Sequence, residues 1–122
     1  MNLNIDGKVA LVTGSYRGTG AGIAERLGAE GAHVIVHGFV EDETQVVFEQ
    51  LANKEINVTR LEADLLELGH DEIKSLLPPI DILINNYGTP RRSSWESTES
   101  WIEEWEHNVL MGVKLSQVVI GG

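Results

Sequence analysis

Three glycines follow a short apolar segment near the start of the chain, and their spacing suits the binding of a phosphate group. Residues 8–13 form a β-rich run, and Gly14, Gly18 and Gly20 follow before a helical pattern begins. Gly14 permits a tight turn, Gly18 lets an anion approach the backbone, and Gly20 lets the helix pack closely on a sheet. Free N–H groups at the start of such a helix attract anions. The turn therefore predicts a pyrophosphate site, with a purely structural glycine turn as the alternative.

Strand-like and helix-like patterns alternate along the rest of the chain. Apolar runs at 8–13, 33–37, 58–63 and 80–84 predict strands, and helical spacing predicts helices at 21–30, 41–54, 71–77 and 99–119. The acidic residues at the start of the second predicted helix suit the positive end of its dipole. The alternation favours an α/β fold with a parallel sheet and right-handed crossovers.

Four motifs resemble those of the short-chain dehydrogenase/reductase family, in the family's order and at its spacing. The glycine turn resembles its TGxxxGxG motif, and Asp64-Leu65 resembles its adenine-contacting Asp. Asn85-Asn86-Tyr87-Gly88 resembles its NNAG motif, with Tyr87 in place of the usual small residue, and Trp101 with Asn108 resembles its W…N signature. The resemblance implies a Rossmann-type three-layer fold with helices on both faces of a four-stranded parallel sheet of order 3-2-1-4. We expect residues 1–122 to form a single dinucleotide-binding domain that lacks the family's C-terminal catalytic half.

The resemblance also implies a nicotinamide dinucleotide cofactor, and the sequence favours NADP over NAD. The end of the second predicted strand reads His37-Gly38-Phe39, with no acid before Glu41 to bond a ribose 2′-OH. Arg17 stands at a position that is basic in many NADP-using members, and a guanidinium suits a 2′-phosphate. A protonated His37 is expected to assist, whereas Phe39 stands where many NADP users have a second Arg. The predicted cofactor-binding residues are Gly14, Ser15, Tyr16, Arg17, Gly18, Thr19, Gly20, His37, Gly38, Phe39, Asp64, Leu65, Asn86, Tyr87 and Gly88.

Catalysis is the point at which the sequence departs from the family. The resemblance implies a Ser after a fifth strand, then a Tyr and a Lys four residues further on, and no such set occurs in these 122 residues. Tyr87 and Arg91 are also four apart, but Pro90 disfavours a helix between them. Ser93 and Ser94 lie in the predicted loop before the last helix. Asn108 alone occupies a family catalytic position and is interpreted as vestigial.

The sequence thus predicts a protein that binds NADP(H) and has little or no oxidoreductase activity by itself. Three alternatives remain. In the first, the chain is an active oxidoreductase whose catalytic groups come from a partner chain or from Tyr87 and Arg91. In the second, it is a non-enzymatic oligomeric scaffold, and in the third, it is a fragment of a longer reductase.

Composition restricts the partners. Nine basic and 19 acidic residues give a net charge of −10, which disfavours nucleic acid. No apolar run reaches ~18 residues, so no membrane span is expected. The start of the chain is not a signal peptide, so a cytoplasmic location is expected. Cysteine is absent, the four histidines are scattered, and no metal site is predicted.

We expect a homodimer or higher homo-oligomer through the 99–119 helix, the edge of strand 80–84, or both, because an unpaired edge invites pairing.

Overall fold

A computed structural model describes residues 4–86 and 109–121 of the chain. Within these residues, strands and helices alternate from the start. The elements are β1 (Val9–Val12), α1 (Gly18–Ala29), β2 (His33–Gly38), α2 (Gln45–Asn53), β3 (Val58–Glu62), α3 (His70–Leu76), β4 (Ile82–Ile84) and α4 (Met111–Gly121). This order confirms the predicted α/β fold.

The four strands form one parallel sheet in the order β3-β2-β1-β4, as expected. Ala10 of β1 pairs with Val34 of β2 on one side and with Ile82 of β4 on the other. Because every strand runs in the same direction, the carboxyl ends of all four meet at one edge of the sheet. The glycine turn leaves β1 at that edge.

Successive residues of the central strands point to opposite faces of the sheet, and both faces are covered by helices. Ala10 and Val12 join a core with α1 and α2, whereas Leu11 joins a second core with α3 and α4. Burial on both faces explains why β1 and residues 34–36 of β2 are continuously apolar. The first core contains Ala10, Val12, Ala24, Ala32, Val34, Val36, Val47 and Leu51. The second contains Leu11, Ile35, Leu61, Leu65, Ile73, Met111, Leu115 and Val118.

Several element boundaries differ from those predicted, most of all the starts of the first two helices and of β4. The second helix begins at Gln45 and not at 41, because Asp42 adopts a left-handed φ of 65° that a helix cannot contain. The acidic residues predicted for its first turn therefore precede it. The first helix begins earlier, at Gly18, and β4 begins at Ile82. The last helix is described from Met111 and extends to Gly121; the rest of predicted helix 99–119 lies outside the described residues.

No helix among the described residues is long and apolar enough to cross a lipid bilayer.

Candidate functional site

The glycine turn after β1 has the backbone conformation that its sequence predicts. Gly14 and Gly18 have φ values of 63° and 59°, in the left-handed region that glycine adopts without steric cost. A Cβ atom added at Gly18 would have no neighbour within 4 Å, so the space above this residue is open. A ligand can therefore approach the backbone closely at Gly18.

The start of α1 faces this open space without a side-chain cap. Arg17 is the residue before the helix, its backbone is extended, and its side chain makes no capping hydrogen bond. Gly18 and Thr19 are both exposed. The amide groups at a helix start carry the positive end of the helix dipole, equivalent to roughly half an elementary charge. This geometry suits an anion held by backbone N–H groups.

Gly20 joins α1 to the ends of β1 and β4. A Cβ atom at Gly20 would lie 2.5 Å from Asn86 Nδ2 and 2.7 Å from the Gly14 carbonyl oxygen. Asn86 is in turn fixed to Thr13, because its Nδ2 donates to the Thr13 carbonyl at 3.3 Å and its backbone N–H donates to Thr13 Oγ1 at 3.1 Å. The predicted role of Gly20 in close packing is therefore explained by specific neighbours, of which Asn86 is one.

His37 lies fully buried behind the glycine turn and connects it to the end of β3. Its Nδ1 accepts a hydrogen bond from the Gly14 N–H at 3.0 Å, and its Nε2 lies 2.9 Å from the Ala63 carbonyl oxygen. Its backbone N–H also donates to Ser15 Oγ at 2.8 Å, and that hydroxyl donates to the Val12 carbonyl at 2.7 Å. Ser15 is fully buried, so its side chain stabilises the turn from behind.

Burial lowers the pKa of the His37 imidazole below its ordinary value, against the raising effects of the Ala63 carbonyl, Glu43 and Asp64. Both ring nitrogens are also engaged within the protein. The expectation that a protonated His37 helps to hold a 2′-phosphate is therefore wrong for this geometry.

Three side chains form a cluster beyond the ends of β1 and β2. Tyr16 and Phe39 meet edge to face with ring centroids 6.4 Å apart, and the Arg17 guanidinium carbon lies 5.2 Å from the Tyr16 ring centroid. Arg17 is exposed, so its charge is available to a ligand beside the turn. The Phe39 N–H donates to Glu43 Oε1 at 2.6 Å, which places a carboxylate at the end of β2. The sequence does not reveal Glu43 as a site residue, because its acidic neighbours predict the start of a helix there.

A second cluster, also not evident from the sequence, fixes the start of α2 to β3. Glu62 Oε2 accepts hydrogen bonds from the backbone N–H and the hydroxyl of Thr44, each at 2.9 Å, and from Arg60 Nη2 at 3.0 Å. Arg60 Nε also donates to the Thr44 hydroxyl at 3.0 Å. Desolvation raises the pKa of Glu62, but the hydrogen bonds from Thr44, Arg60 and the Asp42 backbone outweigh it and lower this pKa to about 2.

The residues that follow β3 lie at the same edge of the sheet. Asp64 is partly buried beyond the His37–Ala63 contact, and its Oδ1 accepts a hydrogen bond from the Leu66 N–H at 3.1 Å. The Leu65 side chain is fully buried in the second core, so only its backbone is left for contact with a ligand.

The structure thus brings one part of the predicted cofactor-binding set together at the carboxyl edge of the sheet. The glycine turn, the end of β2, Asp64 and Asn86 meet there, and in open parallel α/β sheets ligands bind at this edge. Several predicted positions lie outside the described residues: Tyr87, Gly88, Arg91, Ser93, Ser94, Trp101 and Asn108. Within the described ranges, no group of three His, Asp or Glu side chains is placed to hold a metal ion.

Comparison with known proteins agrees with the fold. The family model described as short chain dehydrogenase matches residues 8–121. The curated oxidoreductase YvaG of Bacillus subtilis is 35% identical over 122 residues, which cover 96% of this chain and 46% of YvaG. The chain therefore spans about half the length of this relative.

Two solved structures show the same fold. A 3-oxoacyl (acyl-carrier-protein) reductase from Agrobacterium tumefaciens with NADP bound is 31% identical, with a TM-score of 0.85, and the match covers 96% of this chain and 48% of the reductase. L-Sorbose reductase from Gluconobacter frateurii, complexed with NADPH and L-sorbose, is 29% identical at a TM-score of 0.85, over 99% of this chain and 49% of that one. The family match extends over almost all of the sequence, so the chain belongs to the short chain dehydrogenase family.

Proposed function

We propose that this chain binds NADP(H), with the cofactor pyrophosphate at the uncapped start of α1. The observation that carries the proposal is the open space above Gly18, where Gly18 and Thr19 are exposed at the start of a helix that no side chain caps. Pyrophosphate is an anion that needs several N–H donors at close range, and such a helix start supplies them. The net charge of −10 provides no general attraction for anions, so local backbone geometry has to supply it.

Arg17 supports NADP over NAD as the preferred cofactor. Its guanidinium is exposed beside the turn, over the Tyr16 ring that contacts Phe39 after β2. Strand β2 ends at Gly38 without the acidic residue typical of NAD-binding proteins, and the nearby Glu43 carboxylate accepts the Phe39 N–H. A guanidinium can donate two parallel hydrogen bonds to a phosphate. The two related reductases above, which hold NADP and NADPH, support the same choice.

The reaction class proposed for the site is oxidoreduction, with hydride exchanged between the nicotinamide and a carbonyl or alcohol group. Bound NADPH supplies the hydride; this chain binds the dinucleotide and orients it through the turn. The names of the related reductases refer to 3-oxoacyl (acyl-carrier-protein) and to L-sorbose, so the resemblance does not specify one substrate. The chain covers about half of each, and its 122 residues contain no Ser, Tyr and Lys in the family pattern. We therefore infer that these residues bind the cofactor with little turnover by themselves.

We also propose that the chain associates with a second copy of itself through the exposed face of α4. Val113 is 47% exposed and Ile120 is 87% exposed on this helix, and both line a groove that extends to Asn85 after β4. Among the described strands, β4 pairs only with β1, so its other edge is open for pairing. Burial of an apolar helix face beside an open strand edge stabilises association.

Calorimetric titration of the purified chain with NADPH and then NADH tests the cofactor proposal. We expect saturable binding of both, with NADPH bound more tightly. Absence of binding at millimolar NADPH would refute the proposal, and tighter binding of NADH would refute the role assigned to Arg17.

A further inference from the structure

His37 is the buried residue through which three elements contact the back of the glycine turn. Its ring connects Gly14 after β1 to Ala63 after β3, and its backbone N–H, at the end of β2, contacts Ser15. The turn is therefore attached to the end of β2 by the His37 ring and by the Ser15 hydroxyl, and the His37 ring continues this contact to Ala63 after β3. The effect of this attachment on ligand binding rests on the proposed cofactor site.

The two ring contacts fix the protonation state of His37. A backbone N–H can only donate and a carbonyl oxygen can only accept, so Nδ1 carries the lone pair and Nε2 carries the proton. The neutral ring in this tautomer satisfies both partners. A second proton would have to sit on Nδ1 and point at the Gly14 N–H, which replaces a hydrogen bond by the repulsion of two donors.

The charged groups near the His37 ring lie on the segments that follow β1, β2 and β3. Glu43, in the loop after β2, and Asp64, after β3, both favour the protonated ring, and burial disfavours it more strongly. On the turn side, Tyr16 contacts Phe39, which packs against the His37 ring at a centroid distance of 4.6 Å, and Arg17 lies over Tyr16. Burial outweighs the two carboxylates, so the ring is neutral at neutral pH, and its protonation needs a more acidic solution than that of an exposed imidazole.

We propose that neutral His37 is a positioning residue that holds the glycine turn in its anion-binding conformation, and that protonation of His37 in acid releases the cofactor. Protonation breaks the Gly14 contact at the first residue of the turn. The turn then changes conformation, and the N–H groups at the start of α1 no longer point towards one anion. Because one proton opposes one ligand, the dissociation constant rises by up to about tenfold per pH unit once the ring is protonated.

Two substitutions separate the two ring contacts. In His37→Asn, the amide oxygen takes the position of Nδ1 and can still accept from Gly14, but the side chain does not titrate. In His37→Gln, the longer amide can reach Ala63 as a donor but leaves the Gly14 N–H without its acceptor. Affinity for NADP⁺ is measured by calorimetry from pH 8 to pH 5, since the oxidised cofactor survives acid. The 2′-phosphate itself titrates near pH ~6, equally for all three proteins.

We expect the wild type to lose affinity more steeply with falling pH than His37→Asn, which keeps only the slope caused by the 2′-phosphate. At pH 8, His37→Asn is expected to bind less than tenfold more weakly than the wild type, and His37→Gln at least tenfold more weakly. Equal slopes for the wild type and His37→Asn would overturn the proposal.

A measurement without cofactor distinguishes failure of this inference from failure of the proposed function. NMR of the free wild-type protein is expected to show the His37 ring protonated at Nε2 alone at pH 8, and the Gly14 amide signal shifting in step with titration of the ring. A Gly14 signal that does not follow the ring refutes the inference. If the two move together but NADP⁺ does not bind at pH 8, the cofactor proposal is wrong and the release of cofactor falls with it.

Discussion

At the scale of single residues, Gly18 combines an open approach with a backbone conformation that other residues avoid. We expect Gly18→Val to lower NADPH affinity by at least tenfold, because the branched side chain would occupy the proposed pyrophosphate site above this residue. A β-branched residue at a φ of 59° also costs about 1–3 kcal/mol of stability. Calorimetric titration and thermal unfolding measure the two effects separately.

Gly22 provides the matched control for this substitution. It lies in α1, is exposed, and would also have no neighbour within 4 Å of an added Cβ atom, but it has no left-handed φ. Gly22→Val is expected to leave affinity and stability close to those of the wild type. Equal loss of affinity in both variants would show that the effect is not specific to the turn.

Arg17 is predicted to distinguish the two cofactors. Arg17→Ala removes the exposed guanidinium beside the turn, and a hydrogen bond to a charged group contributes about 1.5–3 kcal/mol. We therefore expect NADPH affinity to fall roughly 10- to 100-fold and NADH affinity to change little. Arg26→Ala removes the same charge from the last turn of α1, where Arg26 pairs with Glu30 at 2.8 Å, and should not alter the NADPH to NADH ratio. A parallel loss of both cofactors in Arg17→Ala would contradict the assignment.

At the scale of elements, the contact between β3 and the start of α2 makes stability depend on pH. The folded pKa of Glu62 is about 2, below its ordinary value of 4.5, so the unfolded chain takes up this proton first as the pH falls. The stabilisation is therefore complete above about pH 5.5 and is lost between there and pH 2. Glu62→Gln should cost about 1–3 kcal/mol at pH 7 and flatten the acid limb of the stability curve.

Urea denaturation at a series of pH values measures this dependence. Glu49→Gln is the control, because Glu49 is exposed on α2 and its carboxylate accepts a hydrogen bond from Gln45 at 3.2 Å on the helix surface. A difference between the wild type and Glu62→Gln that is the same at pH 3 and pH 7 would mean that the carboxylate charge does not stabilise this contact.

The sequence predicts the order of elements well and the contacts between them poorly. Apolar runs determine where strands lie, and the glycine spacing determines the turn, because both depend on neighbours in the chain. The start of α2 is harder to predict, because Asp42 and Glu43 are acidic residues typical of a first helical turn. Their actual roles depend on the loop: Asp42 has a left-handed φ and Glu43 accepts from Phe39.

In the candidate site too, local features can be predicted from the sequence, whereas contacts between distant residues cannot. The spacing of Gly14, Gly18 and Gly20 predicts the turn and its left-handed glycines, but it does not predict that Asn86 packs against Gly20. The contact between His37 and Gly14 joins residues 23 apart, and that between Thr44 and Glu62 joins residues 18 apart. Such contacts follow from the register of parallel strands, which local patterns do not specify. The sequence therefore predicts the position of His37 near the site but not its neutral state.

At the scale of the whole molecule, self-association is predicted to depend on the exposed face of α4. Val113→Asp combined with Ile120→Asp should shift the protein towards a monomer, because a charged side chain cannot be buried there without a partner. Val46→Asp on α2 is the control, since Val46 is 64% exposed and lies on a different helix. Light scattering over a range of concentrations reports the outcome. A wild type that is monomeric at every concentration would exclude the proposed association.

The strand order also determines the sequence of events during synthesis. Strand β1 lies between β2, which follows it closely in the chain, and β4, which follows much later, since Ala10 pairs with both Val34 and Ile82. On the ribosome, β1 therefore acquires its first neighbour early and exposes its other side until β4 has been made. Parallel pairing over such separations is slow and leaves nascent chains open to aggregation. Acidic residues outnumber basic ones in the part of the chain that precedes β4, and this negative charge opposes association of such half-formed chains before β4 pairs with β1.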